Sequence, residues 1–209
     1  MIRIYESEQE QIDAIKNWWK QNGRFTLAMI VLAIVLSFGW RYWQGHRLEK
    51  STNASVLYER LLISFANHDS NSFKQVANQL EKNYADTPYA DLAALFSAKK
   101  AIDEGNLDLG QQQLQQAMKN GHLNYIRQVA RIRLARLLLE KNQAQQALEL
   151  VEKVDDKTYL GAIHLLKGDA YTALNQPEKA QQAYQEALTE VPASEPMHAI
   201  IQMKLEIIQ

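Results

Sequence analysis

GAIHLLKGDAYTALNQPEKAQQAYQEALTEVPAS, residues 161–194, is the stretch whose pattern decides the fold. Gly168 and Tyr171 stand three apart, Ala180, Tyr184 and Ala187 follow at steps of four and three, and Pro192 comes last. Steps of three and four place side chains on one face of a helix. Small residues at Gly168, Ala180 and Ala187 let two helices approach closely, and Tyr171 and Tyr184 are expected to fill the space between repeats. Pro192 lacks an amide hydrogen and clashes with the preceding turn, so it ends the second helix. The stretch predicts a helix–turn–helix unit of 34 residues.

Weaker copies lie upstream. Residues 128–160 place Leu134, Ala135, Leu138, Asn142, Ala147, Val151 and Val154 in the same positions. Residues 91–124 offer Ala98, Ala101, Gly105, Gly110, Leu114 and Ala117, and residues 57–90 keep only Val76, Leu80 and Pro88. The registers are offset by 34, 37 and 33 residues. This order resembles the tetratricopeptide repeat, with His164 where that family often has Trp and Lys167 where it often has Leu. The tail, residues 195–209, carries apolar Ile200, Met203, Leu205 and Ile208 and is expected to be a capping helix over the last repeat.

Composition agrees with an all-α chain. Glycine and proline number only 8 and 4 in 209 residues, and Ala, Leu, Gln, Lys and Glu dominate. No window alternates Val, Ile or Thr with polar residues as a strand does. The glutamine-rich runs 111–116 and 143–146 interleave with Leu114, Ala117, Ala144 and Ala147, which marks them as solvent faces of helices. A formal net charge of -1 supplies no basic field for nucleic acid.

One segment departs from this amphipathic pattern. Residues 25–40, FTLAMIVLAIVLSFGW, are uncharged and lie between Arg24 and Arg41. Sixteen residues rise ~24 Å, and adding Trp43 gives ~28 Å against a ~30 Å hydrocarbon core. Arg41 can snorkel, and Trp40, Tyr42 and Trp43 suit a membrane interface. A cleaved signal would need small residues after its core, where this chain has Trp40, Arg41, Tyr42 and Trp43. The run is therefore expected to be a retained single span, residues 25–43, between a segment of residues 1–24 and a domain of residues 51–209. Arg3, Lys16, Lys20 and Arg24 face Arg41, Arg47 and Lys50 across it, a weak bias toward a cytoplasmic N-terminus. The absence of cysteine suits an oxidising compartment and the cytosol equally.

Chemistry is quiet. His46, His68, His122, His164 and His198 share no metal-ligand spacing, and no nucleophile elbow, Walker loop or dinucleotide fingerprint is present. Asp103 with Glu104, and Asp155 with Asp156, are neighbours that cannot share a helix face, so solvated loops are expected there. Neither an enzyme nor a cofactor is expected. The ninth position of each repeat (Phe65, Lys99, Arg136 and Asp169) is expected to line a concave groove of mixed character, suited to a client or a partner helix.

The opening residues 4–16, IYESEQEQIDAIK, resemble the start of the YfgM family, ancillary subunits of the bacterial Sec translocon. So do residues 39–43, GWRYW, residues 131–136, RIRLAR, and residues 202–204, QMK. The resemblance covers essentially the whole chain. It implies a single-pass type II protein of the bacterial inner membrane, with its tetratricopeptide-like domain in the periplasm. It further implies association with SecYEG and the periplasmic foldase PpiD, on behalf of emerging secretory clients. A scaffold subunit of another envelope assembly is the alternative.

Overall fold

A computed structural model describes residues 8–208, so Arg3 and the first four residues of the opening motif lie outside the described residues. The chain divides into two units, Met1–Lys50 and Ser51–Gln209. Helix α1 runs Glu8–Ala66 without a break and contributes to both. Its apolar stretch is the one candidate membrane span among the described residues, and none of that window is buried inside the protein. An apolar helix with no protein around it is what a bilayer, rather than a core, stabilises.

The second unit is built from helix pairs, and no strand occurs among the described residues. The end of α1 pairs with α2 (Ser70–Asn83), α3 (Pro88–Asp103) with α4 (Leu107–Asn120), α5 (Asn124–Glu140) with α6 (Ala144–Glu152), and α7 (Leu160–Ala173) with α8 (Pro177–Glu190). The single helix α9 (Pro196–Ile207) closes the series. We call the first helix of each pair A and the second B. Each A helix stops two residues before a left-handed residue: His68, Gly105, Asn142 and Asn175, with φ of 55°, 79°, 59° and 55°. The following amide donates to the carbonyl five residues back each time, at 3.0 Å for Asp69 to Ser64 and 2.8 Å for Asn106 to Ala101. The same bond measures 2.8 Å for Gln143 to Leu138 and 2.9 Å for Gln176 to Tyr171. This is the Schellman turn, which satisfies the last helical carbonyls and reverses the chain.

The core is a run of linked clusters rather than one centre, as expected of a solenoid. Leu57, Leu61, Phe73 and Leu80 form the first, Leu114, Ile126, Leu134, Val151 and Ile163 the second, and Leu165, Tyr184, Val191 and Ile201 the third. Tyr184 was expected between repeats but packs inside its own pair, where a Cβ at Gly168 would land in its ring. The aromatic ring takes the space that glycine leaves open.

The other departure is Asp155. It was expected in a solvated loop, yet its side chain is only 10% exposed and pairs at 2.6 Å with Arg131, itself 7% exposed. Gln128, fully buried, accepts the Asp155 amide at 2.8 Å. These contacts pin the α6–α7 loop to α5. Desolvation raises the Asp155 pKa, but the hydrogen bond and charge of Arg131, with Lys153 and Arg127, hold it below the ordinary carboxylate value. A carboxyl whose pKa is depressed on folding stabilises the fold above its unfolded value of about 3.9 and loses that contribution as pH falls through the folded value.

Two outcomes follow from this packing. Gly168→Leu should overpack the α7–α8 crossing and cost ~1–3 kcal/mol in denaturant unfolding followed by circular dichroism. Asp155→Asn should cost about 3 kcal/mol at neutral pH, because Arg131 keeps its charge without a buried partner. Its stability should also fall less than that of the parent as pH drops below about 4. Parallel pH curves for the two proteins would show that the pair does not carry this linkage.

Candidate partner-binding site

Six residues before each left-handed turn lies the same A-helix position: Leu62, Lys99, Arg136 and Asp169. The sequence pattern put Phe65 in this series. The turns instead place Leu62 there, because the first repeat has too few diagnostic side chains to fix its register. Phe65 sits one turn further on, its ring 6.0 Å from Phe73 and 5.6 Å from Phe96. The Lys99 ammonium lies 5.7 Å above the Phe65 ring, so the two remain neighbours.

Lys99 and Arg136 line one cavity of about 290 Å³ with Asp103, Arg133, Leu137 and Glu140. Lys99 pairs with Asp103, at 2.7 Å on the next turn. Arg133 reaches the Leu95 carbonyl at 3.5 Å. Its pKa is lowered by desolvation and by the neighbouring Arg136 charge, against a smaller opposing effect of Tyr58. Cation outnumbers anion here by three to two. Tyr58, Phe65 and Phe96 stand beside it as a ring cluster, with Tyr58 and Phe96 6.0 Å apart. Arg133 and Phe96 were not singled out from the sequence. Each lies three residues before a residue that was, which puts it on the same helix face.

Asp169 is engaged differently. One carboxylate oxygen accepts both the Tyr184 hydroxyl and the Lys204 ammonium, each at 2.7 Å. Burial, and then that acceptor, push the Tyr184 pKa well up, so its hydroxyl stays a donor. Asp169 thus ties α7, α8 and α9 together rather than facing an open surface.

A second cavity, about 240 Å³, opens between α2 and α4 over an alanine floor that includes Ala77, Ala93, Ala94 and Ala117. Gln116 donates across it to Glu81 at 3.0 Å, and Ser70 at the start of α2 donates to Glu104 at the end of α3 at 3.4 Å. Among the described residues no group of three His, Cys, Asp or Glu could hold a metal ion.

A tetratricopeptide repeat-like domain model matches residues 16–209. A protein of Aggregatibacter actinomycetemcomitans is 34% identical over 198 residues, 95% of this chain and 96% of its own length. One of Haemophilus influenzae is 30% identical over 183 residues, 84% of this chain and 89% of its own. An Escherichia coli protein is 25% identical over 204 residues, 98% of each. All three relatives carry the name ancillary SecYEG translocon subunit. The chain belongs to the YfgM family. No solved structure matches it.

In this YfgM-family chain the expected interface residues sit together near the end of the apolar run of α1. Trp40, Arg41, Tyr42 and Trp43 are all exposed, and the Trp40 and Trp43 rings are 5.3 Å apart. Arg47, one turn on, places its guanidinium 4.8 Å from the centre of the Trp43 ring. An apolar run ending in two adjoining, mutually tilted indoles, one of them under a cation, fits a membrane-anchored protein.

Proposed function

We propose that the chain is a non-enzymatic ancillary subunit of the Sec translocon, anchored in the bacterial inner membrane by residues 25–43. Residues 1–24 lie in the cytoplasm and residues 51–209 in the periplasm. The A-helix face around Lys99 and Arg136 receives emerging secretory clients or a partner, with the foldase PpiD acting beside it. The observation that carries this reading is one chain holding both an unburied apolar helix and a helix-pair stack with a mixed cationic and aromatic A face. The names of relatives that match it nearly end to end support the choice of the Sec channel. Anchoring raises the effective concentration of the domain at the channel exit, so modest contact affinity suffices.

Topology is testable because the chain has no cysteine. Glu149→Cys should react with an impermeant maleimide on spheroplasts, and Glu8→Cys should react only after lysis. Equal labelling of the two would overturn the orientation. For the groove, a photo-crosslinking residue at Lys99 or Arg136 should capture SecYEG-bound clients or PpiD in vivo. Lys99→Glu with Arg136→Glu should weaken that capture several-fold, and added salt should weaken it in the parent. Crosslinks arising only from Gln115 and Gln182 on the B helices would place the contact on the other side. Recovery of a different envelope assembly in mild detergent would favour the scaffold alternative.

A further inference from the structure

Helix α9 was expected to cap the last repeat, and only part of its apolar surface does so. Ile201 is fully buried, and Met197, Leu205 and Ile208 pack with it. Ile200, Met203 and Ile207 remain 46%, 53% and 74% exposed. Spaced three and four apart, they form one stripe. A terminal cap ordinarily turns a polar face outward, and this one leaves an apolar stripe beside exposed Gln202 and Glu206.

The internal repeat identifies what such a stripe is for. Shifting α7 by 35 residues lays Ala162, Leu166 and Ala170, all buried, on Met197, Ile201 and Leu205. The same shift lays Asp169 on Lys204, and these two residues pair at 2.7 Å. By this register α9 is a fifth A helix. Ile200, Met203 and Ile207 then correspond to Leu165, Gly168 and Thr172. In α7 those are the residues that α8 covers: Leu165 shares a cluster with Ala180, Tyr184 and Ala187, the Tyr184 ring lies over Gly168, and Thr172 meets the Tyr184 hydroxyl at 3.3 Å. The uncovered stripe is where a fifth B helix would lie.

We propose that α9 is an open A helix and that the stripe Ile200, Met203 and Ile207 seats an amphipathic helix supplied by another protein. Two features define that helix. Met203 fills the space that Gly168 leaves for an aromatic ring, so the incoming helix presents a small residue there, where α8 has Tyr184. Glu206 corresponds to Tyr171, and Lys179 of α8 lies 5.6 Å above the Tyr171 ring. A lysine or arginine five residues before the small residue would therefore meet Glu206. A second copy of this chain fits less well, because the one lysine of α9 is already paired with Asp169 and α8 is already used.

The probe is a fluorescein-labelled, hydrocarbon-stapled helix, PEKAQQAAQEALTE, the α8 sequence with alanine in place of its tyrosine. Fluorescence anisotropy with the full chain in neutral lipid nanodiscs should show saturable binding. Met203→Glu in the full chain should weaken binding at least tenfold with an unchanged thermal transition, as its exposure requires. The unaltered α8 peptide, and one with glutamate for its lysine, should each bind several-fold more weakly. Equal binding to the Met203→Glu chain, no preference for the alanine peptide, or no binding at millimolar peptide would overturn the proposal. So would a detergent-solubilised dimer that Met203→Glu dissociates, since the occupant would then be a second copy. These outcomes leave the Lys99 and Arg136 crosslinks untouched, so failure here and failure of the groove reading are distinguishable.

Discussion

Each A helix must end in a residue that accepts a left-handed backbone, and the rest of the repeat unit hangs on that constraint. A non-glycine residue in this conformation costs ~1–2 kcal/mol, least for residues whose short polar side chain bonds locally. His68, Asn142 and Asn175 accept that cost and Gly105 avoids it. In return the amide beyond each turn closes the helix, and the chain re-enters as a B helix two residues later. With four identical endings, counting back from the turn fixes which side chains share a face. The A face with Lys99, Arg133 and Arg136 follows from that count and not from any local preference of the residues themselves.

This also separates what was legible in the sequence from what was not. The all-α solenoid was readable, because residues 161–194 carry both the small residues and the rings that the packing needs. The apolar run was readable from composition alone. The first repeat was misplaced by one turn, since Val76 and Leu80 mark its B helix, Pro88 opens the next A helix, and none of them marks its own A helix. His68 was the missing signal: histidine is among the few non-glycine residues that tolerate positive φ, and it sits where Gly105, Asn142 and Asn175 sit. Asp155 was not readable, because its partner Arg131 lies 24 residues away and no local rule couples a loop carboxylate to a helix interior.

That buried pair has a topological role as well as an electrostatic one. Helix α6 has nine residues where α2, α4 and α8 each have 14. A shortened B helix would normally pull the next A helix out of step. Instead the loop through Asp155 and a short 3₁₀ turn at Lys157–Tyr159 make up the length. The A helices still start at Pro88, Asn124, Leu160 and Pro196, an even spacing of 36 residues. Arg131 and Gln128 hold the longer loop against α5, which keeps the start of α7 in step although its closing turn comes early, the left-handed residues 68, 105, 142 and 175 being 37, 37 and 33 apart. A buried ion pair adds little net stability over an apolar substitute, and its value here is in fixing one path for the loop.

The end of the solenoid poses the opposite problem, since the stack must stop without leaving its last core open. Val191, Leu165 and Tyr184 share a cluster with Ile201 of α9, against which Met197, Leu205 and Ile208 also pack. A helix that covers one face and offers another to solvent needs a fixed orientation about its own axis. Hydrophobic contact alone is non-directional and would allow α9 to roll, turning Ile200 and Met203 inward at the expense of Leu205. The Lys204–Asp169 pair, itself braced by the Tyr184 hydroxyl, supplies the missing direction. Asp169 therefore does not line the groove. It spends its charge on orienting α9, and so determines which apolar side chains the last helix keeps for itself and which it presents.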